Sequence, residues 1–65
     1  MTPETFCFLE WALGRRDEYL VKGEWEAAWA YHRIAEREVE AFRLPNFRPI
    51  PEQYIPEMTA YRLTQ

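Results

Sequence analysis

Gly23 does more than any other residue to limit what this chain can fold into. It follows Lys22 and separates two stretches in which apolar residues recur at helical spacing. A glycine reaches the left-handed backbone that commonly ends a helix, so a stop is expected there. With almost no linker between them, the two helices must fold back as an antiparallel hairpin.

The first helix is expected over about residues 3–22. Thr2-Pro3-Glu4 offers a capping hydroxyl, a proline suited to the first helical position, and an acid at the positive end of the dipole. Phe6, Leu9, Leu13 and Leu20 form one stripe with Ala12 beside it, while Phe8 and Trp11 fall off it. Gly14 weakens the middle by up to about 1 kcal/mol relative to Ala and marks a candidate bend or close contact. The second helix is expected over about residues 24–42, with Trp25, Ala28, His32, Ala35, Val39 and Phe42 as its main stripe. Ala27, Tyr31, Ile34 and Ala41 broaden that face, and Arg33, Glu36, Arg37 and Glu40 lie opposite. Trp29 falls near the charged side, where an isolated hairpin offers an indole no partner.

After Arg43 the texture changes. Four of the five prolines follow (Pro45, Pro49, Pro51, Pro56), and Leu44 before Pro45 is biased out of the helical region. Extended or polyproline-like backbone is therefore expected through the middle of this segment. Phe47, Ile50, Tyr54, Ile55, Met58, Tyr61 and Leu63 recur every few residues, a pattern of a segment tied down on something. Pro56-Glu57 is placed to open a short last helix through about Leu63. The expected fold class is thus all-α: a hairpin over 1–43 and a proline-punctuated arm over 44–65, one domain at most.

The stretch YLVKGEWEAAWAYHRIAE resembles one tetratricopeptide unit, with Tyr19, Gly23, Trp25, Ala28 and Ala35 at matching spacings. The resemblance implies close helix packing around the turn. Arg15 and Arg16 stand where that motif has Leu and Gly, and 65 residues hold too little chain for three stacked repeats.

Chemistry-bearing residues are few. One cysteine allows no internal disulfide, and no Cys/His spacing offers a zinc site. Cys7 reads as a small buried apolar residue of the first helix. His32, the chain's one histidine, lies at i, i+4, i+8 with Glu36 and Glu40, but the Glu-x-x-His signature of bundle metal sites is absent, so packing is its expected role. Arg15 and Arg16 are the most basic local spot, yet Asp17 and Glu18 follow at once, and surface is the expectation. No catalytic residue, cofactor or metal is expected.

Net charge is −3 with basic residues interleaved among acids, which disfavours a dedicated nucleic-acid binder. No apolar run approaches the roughly 20 residues of a membrane span, and the start lacks a signal peptide's regions. The expectation is a soluble cytoplasmic protein without a membrane partner. Eleven aromatics exceed what one hairpin can bury. Trp, Tyr and Arg dominate binding hot spots, so Trp11, Trp25, Trp29, Tyr31, Phe47, Tyr54 and Tyr61 are the candidate partner-binding residues. The partner expected is another protein or a second copy, with homodimerisation favoured. The alternative reading is a small DNA-binding regulator or antitoxin using Arg15, Arg16, Arg43 and Arg48.

Overall fold

The computed structural model describes residues 3–43 and 47–64, with side chains from Cys7 onward. The expected Thr2 cap, the place of Phe6 on the stripe and the Leu44–Pro45 break lie outside these. Helix α1 spans Pro3–Lys22 and α2 spans Trp25–Phe42. An extended stretch over 47–51 leads through a 3₁₀ turn, Glu52–Tyr54, into α3, Ile55–Leu63. The architecture is a helical hairpin with a short third helix, and no strand occurs among the described residues.

The hairpin turn is built as Gly23 foretells. Gly23 takes φ +74°, its N–H donates to the Leu20 carbonyl at 3.1 Å, and the Glu24 N–H donates to the Tyr19 carbonyl at 2.9 Å. That pair of bonds is the Schellman arrangement, which satisfies carbonyls the helix end would otherwise orphan. Helix α2 ends by a costlier route: Arg43 adopts the left-handed region at φ 53°, ψ 47°, donating its N–H to the Val39 carbonyl. Gly14 is neither a break nor a close approach. Helix α1 runs through it, and among the described residues a Cβ built there meets nothing within 4 Å beyond its chain neighbours and its own helix backbone.

The core has two lobes. Leu9, Ala12, Leu13 and Ala35 form the first, with Val39 and Phe47 packed against it. Leu20, Ala28 and Met58 form the second, with Trp25, Trp29, Ile50, Tyr54 and Tyr61 around it. Small alanines at 12, 28 and 35, all fully buried, let α1 and α2 approach closely. Met58 of α3, 2 % exposed, is the arm's buried anchor. Between the lobes, on the same stripes, lie two buried polar residues, Arg16 and His32. Among the described residues no helix is long and apolar enough to cross a membrane.

Candidate functional site

Arg16 occupies the position one turn after Leu13 and four before Leu20, so helical geometry directs it into the core. It is 1 % exposed, which overturns the surface placement that Asp17 and Glu18 suggest. A buried guanidinium is tolerable only when its five donors are met. Here Nε donates to Asp17 Oδ1 at 3.0 Å and Nη2 to the same oxygen at 2.9 Å. Nη2 also reaches the Pro49 carbonyl at 3.3 Å, and Nη1 the Arg48 carbonyl at 2.7 Å and His32 Nδ1 at 3.2 Å. No buried side-chain N or O among the described residues lacks a partner.

The same network ties down the arm a second time. Arg48 donates through Nη2 to Asp17 Oδ2 and through Nη1 to Glu10 Oε2, both at 3.1 Å. Arg16 and Arg48 thus share the Asp17 carboxylate, and the arm crosses α1 where its backbone carbonyls have a buried cation to bind.

His32 lies beneath this crossing, 8 % exposed. Its ring stacks on Trp29, centroids 5.1 Å apart and planes 22° inclined, and meets Phe47 of the arm at 5.3 Å. Burial lowers its pKa first, and the Arg16 charge adds to that, with Glu36 opposing. Glu36 Oε2 stands 4.0 Å from Nε2, too far for a hydrogen bond. Among the described residues no three His, Cys, Asp or Glu side chains converge as a metal-ligand set.

The candidate partner-binding residues divide between two faces. On the arm-covered face, Trp29 has a place that the helical wheel alone does not provide. It is half-buried, stacked on His32, and carries the Arg62 guanidinium of α3 4.5 Å from its centroid. Trp25 meets Tyr54 at 6.4 Å, and Phe47 and Tyr61 are half-buried on the two lobes. Beside them an open cleft of about 360 Å³ lies between α2 and the arm, lined by Trp29, His32, Phe47, Ile50 and Arg62 among others.

Among the described residues nothing from the arm packs on the opposite face. Trp11 is 51 % exposed and Phe8 40 % exposed, with their rings 5.8 Å apart. Tyr31 of α2 bridges them to Tyr19, edge-on to Trp11 at 5.5 Å and stacked on Tyr19 at 5.6 Å. Arg15 completes this row, donating to Tyr19 Oη at 3.1 Å and to Glu18 Oε2 at 2.9 Å. Ile34, one turn beyond Tyr31, is exposed as well.

Cys7 is exposed, contrary to the expectation of a buried thiol. Two residues before Leu9 on a helix is roughly 200° around the axis, which sets it away from the core stripe. The basic positions proposed for DNA contact are largely engaged: Arg16 is buried, Arg48 is bound to two acids, and Arg15 pairs with Glu18. Arg16 is the site residue that sequence reasoning placed wrongly. Its signal was the gap in the first stripe between Leu13 and Leu20. Compared with known proteins, the chain matches no family model, no curated protein and no solved structure.

Proposed function

We propose that the protein is a small, non-enzymatic protein-interaction module, cytoplasmic, that docks through its aromatic helical face on a protein partner or a second copy. The observation that carries this is the Phe8–Trp11–Tyr31 row, an apolar strip on two rigid helices with more than half of an indole open to water. Exposed single apolar residues are ordinary, but a contiguous aromatic patch on ordered backbone is characteristic of interaction sites. The arm-covered rings, Trp25, Trp29, Phe47, Tyr54 and Tyr61, stabilise the fold and contribute a second surface where the arm itself is the contact. The engaged state of Arg16 and Arg48 argues against the DNA-binding alternative.

Light scattering of the purified chain over a concentration series, paired with lysate capture, tests the reading. Trp11→Ser, at a half-exposed position outside both core lobes, should leave the fold intact, which circular dichroism checks. Wild-type association, with itself or with a captured protein, that disappears in Trp11→Ser supports docking through this face. A strictly monomeric chain whose capture profile is identical to that of Trp11→Ser rules it out.

A further inference from the structure

We propose that the Arg16–His32 contact is a proton-sensitive latch: protonation of His32 frees the arm's backbone over 47–49 from the hairpin and lifts Phe47 off the His32 ring. This goes beyond the docking reading and does not depend on any partner.

Arginine has donors only, so the 3.2 Å bond from Nη1 obliges His32 Nδ1 to be an acceptor. The latched ring is therefore neutral, with its proton on Nε2. A proton added to Nδ1 turns that bond into an N–H facing an N–H, between two cations, at a buried position. The surroundings are charged on every side. From α1 comes Arg16, itself paired with Asp17. From α2 come Arg33 and Glu36, and from α3 Arg62. The extended stretch brings Arg48, whose side chain turns away to Glu10 and Asp17. Glu36 alone of the acids faces Nε2, at 4.0 Å, while three arginines oppose the imidazolium.

The consequence reaches the arm because one atom serves both. Nη1 of Arg16 holds His32 and the Arg48 carbonyl together, and Nη2 holds the Pro49 carbonyl. A guanidinium displaced from an imidazolium gives up those carbonyls too. Phe47, whose ring lies 5.3 Å from that of His32, is part of the same contact. Met58 remains buried in the second lobe, so opening is confined to the stretch before α3.

The test is nuclear magnetic resonance of the full chain, labelled with nitrogen-15, from roughly pH 7.5 to pH 5. The expected neutral ring is the Nε2–H tautomer. The backbone amides of Phe47, Arg48 and Ile50 should shift with the ring's own midpoint. The ratio of open to latched arm that these shifts report should rise by about tenfold for each pH unit separating the latched ring's midpoint from the ordinary histidine value. In His32→Asn, whose side-chain oxygen takes the place of Nδ1 and accepts from Arg16 without titrating, the arm should stay fixed through this range. Glu36→Gln provides a second check should that variant fold poorly: ring and arm midpoints should fall together. Ring titration without arm movement, an Nδ1–H tautomer, or pH-dependent arm opening that persists in His32→Asn would each overturn the latch.

Discussion

Arg16 Nη1 and His32 Nδ1 lie 3.2 Å apart across the hairpin, 16 residues apart in sequence, and the bond between them joins the two apolar lobes of the core. Hydrophobic packing is not directional, whereas a five-donor fork fits one register of α1 against α2 and one path of the arm. The polar layer therefore specifies an arrangement that the apolar stripes leave open.

Arg16→Ala should be among the most damaging single changes in the chain. It leaves two arm carbonyls and the Nδ1 acceptor without their donor and opens a void between the lobes. Removing one partner of a buried charged network costs about 3–5 kcal/mol, comparable with the whole stability expected of a 65-residue domain. Arg16→Lys should recover part of this at most, since an ammonium offers three donors from a single atom. Urea unfolding followed by circular dichroism checks both.

The histidine gives stability a pH dependence whose sign follows from its environment. Burial first, then the Arg16 charge, depresses the folded pKa below the ordinary 6.5. The unfolded chain consequently binds more protons than the folded one in the interval between the two values. The contribution is complete above about pH 6.5 and declines as pH falls toward the lowered native value. Melting temperature should fall across that interval in the wild type and less steeply in His32→Asn, which scanning calorimetry reads directly.

Much of the fold was legible because it rests on local signals. Gly23, the leucine stripe and the proline onset at residue 45 mark helix, turn and arm through backbone preferences acting over a few residues. The interaction of arm with hairpin was not, because it depends on contacts such as Arg16 to Pro49, 33 residues apart. A helical wheel sets Trp29 among charges since it contains one helix only. Arg62, which covers that indole, belongs to another. Arg16 looked like surface by chemistry and like core by position, and position prevailed once partners for all five donors had been assembled.

Met58 should anchor the arm apolarly as Arg16 does electrostatically. It is buried against Leu20 and Ala28, and truncating such a side chain typically costs about 2–5 kcal/mol. Met58→Ala should therefore loosen α3 and raise the solvent accessibility of Trp25 and Trp29, whose neighbours Tyr54 and Arg62 come from the arm. Acrylamide quenching of tryptophan fluorescence measures this; Met58→Leu, close in volume, should quench like the wild type.

Two backbone positions should tolerate improvement. Gly14 lies inside α1 with nothing near its missing Cβ, so Gly14→Ala should gain up to about 1 kcal/mol from helix propensity without a clash. Arg43 is the reverse case: an exposed side chain held at φ 53°, where a Cβ costs about 1–2 kcal/mol and glycine costs none. Part of that gain returns to the unfolded chain, in which glycine has more conformations to lose. Arg43→Gly should consequently stabilise by about 0.5–1 kcal/mol. Gly23→Ala should do the opposite, because its φ of +74° is needed to close the turn. Chemical denaturation of the three variants separates the effects: gains at 14 and 43, and a loss at 23, place the backbone constraint at the helix ends rather than in the middle of α1.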